Sequence, residues 1–89
     1  MAHVHFTSNL RRHVESSSME GPGETVRELL EIVFVKNSRL QTYVLDDQGG
    51  VRKHMRILVD GLAIKDLEKL SDPIKKDSEV WIMQALSGG

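Results

Sequence analysis

Apolar and polar residues alternate near both ends of the chain, and this pattern predicts a β-strand at each end. From His3 to Ser8, Val4 and Phe6 share one side and polar residues occupy the other. The segment Ser78 to Ala85 also has the pattern of a strand. Because successive side chains of a strand point to opposite faces, each strand is expected to bury one face only.

A different period follows in the first half of the chain. Thr25 and Glu28 have the spacing of a capping box, in which a hydroxyl and a carboxylate each satisfy an unpaired N–H group at a helix start. Apolar residues then recur at helical spacing, namely Val26, Leu29, Leu30 and Val33. The pattern predicts one amphipathic helix over residues 25 to about 36.

The residue pattern in the rest of the chain predicts shorter elements. In chain order they are an edge strand within Arg12 to Met19, a turn over Glu20 to Glu24, a mobile loop over Asp46 to Gly50, a strand over Met55 to Asp60, a hairpin at Asp60-Gly61 leading to Leu62 to Ile64, and a short helical segment within Lys65 to Leu70.

This order of elements predicts an α+β fold of the β-grasp type. It comprises a mixed sheet of four to five strands with one main helix packed across one face. The first and last strands are expected side by side in the centre of the sheet. A parallel pair of this kind needs a long crossover, and the crossover would contain the helix.

Composition narrows the possible functions. Eighty-nine residues suffice for one small domain, which we assign to residues 1–85, followed by a flexible tail over 86–89. The net charge of −1 argues against nucleic-acid binding. The absence of cysteine removes disulfides, thiol nucleophiles and thiolate metal ligands. No stretch has the length of a membrane span or the order of a signal peptide, so a cytoplasmic location is expected.

The last two residues are Gly88 and Gly89. Because glycine has no Cβ, such a tail can pass through a narrow enzyme channel, and the loss of entropy at a chain end is small. From Leu86 onward an extended tail would reach roughly 13 Å at about 3.3 Å per residue. The ending is therefore suited to chemistry on the carboxylate of Gly89.

Three segments together resemble the ubiquitin-like sulfur carriers typified by the small subunit of molybdopterin synthase (MoaD) and the thiamine-pathway carrier ThiS. They are the capped helix at Thr25 to Glu31, the strand and hairpin at Met55 to Gly61, and the ending Glu79 to Gly89. Relative to the family, Lys76-Asp77-Ser78 replaces a common Gly-Asp pair, and Gln84 to Ser87 replaces a proline-containing run. The resemblance is closer to MoaD-like members and leaves the pathway open, with the thiamine pathway the least favoured.

The resemblance implies a carrier rather than an enzyme. A partner would use ATP to adenylate the Gly89 carboxylate, and sulfur from a persulfide or sulfide donor would then displace AMP. The product is a thiocarboxylate that donates sulfur in cofactor or cysteine biosynthesis. The implied partners are an adenylating enzyme of the MoeB/ThiF type and a sulfur acceptor, such as a molybdopterin-synthase large subunit or a cysteine synthase. Gly88 and Ser87 would thread the partner's channel, and the chain itself would bind no cofactor.

Strand parity predicts where partners dock. If Val80 and Ile82 face the helix, Trp81 and Met83 face away from it. The same parity places Arg56 and Leu58 of the neighbouring strand outside. Leu58, Trp81 and Met83 would then form an exposed apolar patch beside the tail, and Arg56 and Leu86 are assigned to the same docking surface. The alternative is that Trp81 is covered by a loop or only pairs across strands.

Other patterns favour less specific roles. His3 and His5, with His13 or His54, provide only imidazoles for a metal, so exposed structural histidines are the preferred interpretation. Asp46 to Gly50 lacks the spacing of a calcium or nucleotide loop and is interpreted as a solvated turn. No nucleophile–base spacing singles out a catalytic triad. Two alternatives stay open: a ubiquitin-like modifier conjugated through Gly89, and a β-grasp interaction module.

Overall fold

The computed structural model describes residues 1–6 and 18–84. Its elements, in chain order, are β1 (Ala2–Phe6), β2 (Ser18–Gly21), α1 (Val26–Lys36), α2 (Ser38–Val44), β3 (Met55–Val59), β4 (Leu62–Ala63) and β5 (Glu79–Gln84). The strands form one mixed sheet in the order β2-β1-β5-β3-β4. The predicted α+β fold, with one sheet of up to five strands and a main helix across it, is confirmed.

The two end strands lie in the middle of the sheet, as their alternation predicts. β1 and β5 pair in parallel, with Val4 opposite Val80 and Phe6 opposite Ile82. All four of these side chains are buried in the core. The remaining neighbours pair antiparallel. Because β1 and β5 are parallel, the connection between them crosses over, and α1 lies within it.

Helix α1 covers the inner face of the sheet. It buries Val26, Leu29, Leu30, Val33 and Phe34. Burial of each large aliphatic side chain contributes roughly 1.5 to 3 kcal/mol, as an upper estimate. The hydroxyl of Thr25 accepts a hydrogen bond from the N–H group of Glu28 at 3.3 Å. The Glu28 carboxylate accepts one from the N–H group of Glu24 at 2.7 Å, so the capping interaction reaches one residue further back than predicted.

The described part of the edge strand extends into the segment that was predicted to be a turn. Strand β2 begins at Ser18 and continues through Glu20 and Gly21, which the sequence had placed in a turn; residues 7–17 lie outside the described part of the chain. Gly21 pairs with Ala2, and a Cβ there would lie 3.3 Å from the Leu29 side chain. The close approach of β2 to α1 therefore favours a residue without a side chain.

Helix α2 was not predicted. It buries only Leu40 and Val44, one turn apart, and no side chain forms a hydrogen bond that caps its first residue. Two apolar positions give too weak a period to separate a helix from an extended run. The loop expected over Asp46 to Gly50 is a hydrogen-bonded turn, in which the Asp46 carboxylate accepts from the N–H groups of Gln48 and Gly50 at 2.9 and 3.0 Å.

The segment expected to be helical near residues 65–70 is instead a turn organised by Asp66. Its carboxylate accepts hydrogen bonds from the hydroxyl and N–H group of Ser71 and from the N–H groups of Glu68 and Lys69. These bonds, first of all the one from the Ser71 hydroxyl, lower the pKa of Asp66 from its ordinary 3.8 to about 2. Backbone N–H groups that would serve a helix are bound by this carboxylate.

The predicted hairpin is confirmed, and it also positions the last strand. Asp60 and Gly61 both have positive φ, at 50° and 88°, as a tight two-residue hairpin requires. The Asp60 carboxylate accepts hydrogen bonds from the N–H group of Glu79 at 2.8 Å and from the Ser78 hydroxyl at 3.0 Å. Ser78 is buried. The start of β5 is therefore attached to the β3–β4 turn.

Candidate functional site

Strand β5 divides its side chains between two environments. Val80 and Ile82 are completely buried against the core, whereas Trp81 keeps 39% of its surface exposed and Met83 is half-buried. The parity predicted from the sequence is therefore correct. The face of the sheet opposite the helices, which we call the outer face, presents Trp81 and Met83 from the central strand.

The neighbouring strand β3 completes an apolar patch on this face. Leu58 lies opposite Trp81 and Arg56 lies opposite Met83 in the antiparallel register. Leu58 is half-buried and Arg56 is exposed. The structure thus brings together four of the five predicted docking residues. We use the name apolar patch for Leu58, Trp81 and Met83.

His5 belongs to the same surface, although it was not among the docking residues predicted from the sequence. The parallel register places His5 opposite Trp81, and the two rings stack with centroids 4.7 Å apart and planes inclined by 27°. The His5 Nε2 atom lies 2.6 Å from a carboxylate oxygen of Glu79. Combining the alternation of β1 with the predicted parallel pairing would have placed His5 beside Trp81. Trp81 consequently has one ring surface against His5 and is only partly exposed.

His3 and His5 on the outer face each contact a carboxylate, and they do not form a metal site with other side chains of the described residues. His3 lies 3.5 Å from a Glu20 carboxylate oxygen, and the His3 and His5 rings are 6.5 Å apart. Among residues 1–6 and 18–84, no group of three or more metal-ligating side chains is close enough to hold an ion. His54 lies just before β3, and His13 lies outside the described residues.

The tail begins where β5 ends. Gln84 is the last described residue of β5 and lies opposite Met55, the first residue of β3. Leu86, Ser87, Gly88 and Gly89 lie outside the described residues, so their assigned roles remain predictions. The position of Gln84, which we call the root of the tail, is nevertheless defined. It lies at the end of the central strand, next to the apolar patch.

The helix side of the molecule contains a separate groove. It has a volume of about 340 Å³, and its apolar lining includes Leu30, Phe34, Leu45 and Leu70. Arg27 lines the same groove and donates hydrogen bonds to the carbonyl oxygens of Lys69 and Gly49. The groove lies across the sheet from the apolar patch and does not contribute to the candidate site. No described helix is long and apolar enough to cross a membrane.

Several solved structures share this fold along nearly their whole length. The crystal structure of the BexX/CysO complex from Amycolatopsis orientalis contains a chain with TM-score 0.86 and 20% identity, and all of both chains is covered. The crystal structure of SAMP1 from Haloferax volcanii gives TM-score 0.80 and 21% identity, covering 99% of this chain and 98% of that one. The solution structure of small archaeal modifier protein 1 from Methanosarcina acetivorans gives TM-score 0.81 and 26% identity, covering 99% and 95%.

A search of curated protein sequences finds no significant match. The model of the ThiS family matches residues 4–89, which is almost the entire chain. This match confirms the resemblance derived from the capped helix, the hairpin and the ending, and it agrees with the prediction of a small carrier rather than an enzyme. It names the family and leaves the biosynthetic pathway open. The chain belongs to the ThiS family.

Proposed function

We propose that the chain carries sulfur as a thiocarboxylate on Gly89. The observation that carries the proposal is the family match, which extends through the last residue of the chain. The position of β5 in the centre of the sheet supports it, because the tail then starts from a fixed strand beside an apolar patch. A short tail on such a base reaches a partner's active site while the domain stays outside.

The chemistry takes place in partner enzymes and balances in two steps. A Gly89 carboxylate oxygen attacks the α-phosphorus of ATP, and pyrophosphate leaves to give an acyl-adenylate. Hydrosulfide then attacks the acyl carbon, the bond from that carbon to the phosphate oxygen breaks, and AMP leaves. One carboxylate oxygen is thereby replaced by sulfur. The first step supplies the leaving group that a free carboxylate lacks, and the carrier contributes the nucleophilic carboxylate and its presentation.

The partners follow from this sequence of reactions. The first is an adenylating enzyme of the MoeB/ThiF type, which holds ATP. The second is an acceptor that consumes the thiocarboxylate, such as a molybdopterin-synthase large subunit or a cysteine synthase. Docking would use the apolar patch with Arg56 and Leu86, while Ser87 and Gly88 occupy the narrow part of the channel. The chain itself would hold no cofactor, and the reactions are assigned to the cytoplasm.

The test is mass spectrometry of the chain purified under native conditions, together with ATP–pyrophosphate exchange in the presence of the adenylating enzyme. The proposal predicts exchange and a mass change corresponding to one oxygen replaced by sulfur at the C-terminus. An unmodified acid under every condition, with no exchange, would contradict it and would favour an interaction module.

A second function has one specific observation in its favour. The chain is 26% identical to small archaeal modifier protein 1 of Methanosarcina acetivorans over nearly its full length. Conjugation to proteins would use the same Gly89 adenylate, but a lysine amine would replace hydrosulfide as the nucleophile. The same mass spectra distinguish the two functions, because a modifier gives isopeptide adducts on other proteins.

A further inference from the structure

Three exposed basic residues lie at the end of the sheet where β5 ends. They are Arg52, Lys53 and Arg56, which we call the basic rim. The chain contains no carboxylate side chain from Gln48 to Val59. The register pairs Met55, which lies within this segment, with Gln84. The basic rim is therefore next to the root of the tail.

Backbone contacts fix the position of two of these charges. The Arg52 Nε donates to the carbonyl oxygen of Thr42 at 2.7 Å. The Arg56 Nη1 donates to the carbonyl oxygens of Met55 and Lys53 at 2.9 and 3.1 Å. These acceptors are neutral. The ion pairs found among residues 1–6 and 18–84 are His3 with Glu20 and His5 with Glu79. None of the three basic residues therefore forms an ion pair within that part of the chain.

The carboxylates of the outer face lie at the opposite end. Glu20 and Glu79 lie opposite His3 in the strand register, at the end of the sheet where β1 and β5 begin. Five residue steps along β5, about 17 Å at roughly 3.3 Å per residue, separate Glu79 from Gln84 at the root of the tail. The apolar patch lies between the two ends. Such a separation of charge orients an approaching partner more than it strengthens a finished complex.

We propose that the basic rim orients the carrier on its adenylating enzyme by facing an acidic surface at the entrance of the enzyme's tail channel. The inference rests on the proposed function and adds the chemistry of the partner's surface. The partner is a protein surface rich in Asp and Glu around that entrance. Its carboxylates would attract the basic rim and disfavour the reversed orientation, in which Glu20 and Glu79 would approach them.

The length of the tail explains why the entrance, rather than ATP, is the target of the basic rim. Five residues follow Gln84, and an extended segment of that length reaches roughly 16 Å at about 3.3 Å per residue. This distance exceeds the Debye length of about 10 Å at 0.1 M ionic strength. With Gly89 at the α-phosphate of ATP, the basic rim lies outside the site and acts on the enzyme surface around the channel.

Lys53 allows a charge test that leaves the fold unchanged, because its side chain is exposed and forms none of the hydrogen bonds described for the basic rim. The variants are Lys53→Glu, the charge-conserving Lys53→Arg, and the control Lys76→Glu. Lys76 is also exposed but precedes the start of β5, so the control has the same net charge with the reversal at the other end. The measurement is kcat/KM for each carrier in ATP–pyrophosphate exchange with an adenylating enzyme of the MoeB/ThiF type.

At about 0.1 M ionic strength Lys53→Glu should lower kcat/KM roughly fivefold, whereas Lys53→Arg and Lys76→Glu should stay within about twofold. At about 1 M the Debye length falls to roughly 3 Å, and the difference should largely disappear. Equal values for Lys53→Glu and Lys76→Glu, or a loss that does not depend on salt, would overturn the orienting role while leaving the carrier function intact. No exchange with the unmodified sequence would instead reject the proposed function and this inference with it.

Discussion

At the scale of single residues, Trp81 differs from its neighbours on β5 in a way that suits the proposed docking role. Its neighbours Val80 and Ile82 are completely buried, whereas Trp81 stacks on His5 and remains partly exposed. Tryptophan is enriched among residues whose truncation costs the most binding energy. Trp81 is also the chain's only tryptophan, so its fluorescence reports on this site alone.

We expect Trp81→Ala to weaken binding to the adenylating enzyme by more than about 1 kcal/mol while changing the free energy of unfolding little. The matched control is Ile82→Ala on the same strand, where truncation of a buried side chain should cost about 2 to 5 kcal/mol of stability. Fluorescence anisotropy of a labelled carrier and thermal melting provide the two measurements. Unfolding of the Trp81 variant with unchanged affinity would mean that this residue belongs to the core.

The tail provides a second prediction at the residue scale. Deletion of Gly89 withdraws the carboxylate by roughly 3.3 to 3.6 Å, and a misplacement of about 1 Å can already cost about a hundredfold in rate. The Gly88→Val substitution keeps the length but adds a branched Cβ that restricts and widens the chain. Both changes should abolish ATP–pyrophosphate exchange. Unchanged melting by circular dichroism is the control, and exchange at the unmodified rate would show that the diglycine is incidental.

Asp66 gives a prediction for acid stability. Its pKa is lowered to about 2, so its hydrogen bonds stabilise the folded state fully above the ordinary value of 3.8. That contribution is lost as the pH falls from 3.8 through about 2, because the folded state must then take up a proton. Urea unfolding across this range should show a steeper loss of stability for the unmodified sequence than for Asp66→Asn. Parallel curves would contradict the role assigned to this carboxylate.

At the scale of elements, strong periodicity predicted the fold and weak periodicity did not. The central strands and α1 each have several apolar positions at a clear spacing, and the structure confirms them. Helix α2 has one apolar pair, and the turn at Asp66 depends on side-chain bonds to backbone groups that no spacing reveals. The apolar patch followed from strand parity, but the addition of His5 required the register between β1 and β5.

The existence of α2 leads to a test of its packing. Leu40 is completely buried, whereas Arg39 beside it is exposed. Leu40→Ala should therefore lower the free energy of unfolding by about 2 to 5 kcal/mol, through lost burial and the cavity left behind. Arg39→Ala on the same helix should change it by less than about 0.5 kcal/mol. Equal and small effects in denaturant unfolding would show that α2 does not pack as described.

At the scale of the whole molecule, the sheet separates the buried core from the proposed docking surface. The helices and the buried core lie on its inner face, and the apolar patch, His3, His5 and Arg56 lie on the outer face. The net charge is only −1, so we expect a partner to be guided by the local arrangement of charges rather than by a strong overall field. Under the proposed function, a substitution on the outer face would alter docking and leave the core that supports β5 in place.

Because the core and the proposed docking surface lie on opposite faces of the sheet, substitutions on the two faces should change stability and affinity independently. In the double variant Leu40→Ala and Trp81→Ala, the loss of stability should equal that of Leu40→Ala, and the loss of affinity should equal that of Trp81→Ala. Because the two residues lie on opposite faces of the sheet, each sum should hold within about 0.5 kcal/mol. Unfolding in urea and fluorescence anisotropy of a labelled carrier with the adenylating enzyme measure the two quantities at a temperature where every variant is folded. A coupling well above this limit would mean that the packing of α2 is transmitted through β5 to the docking surface, and the two faces could then not change independently.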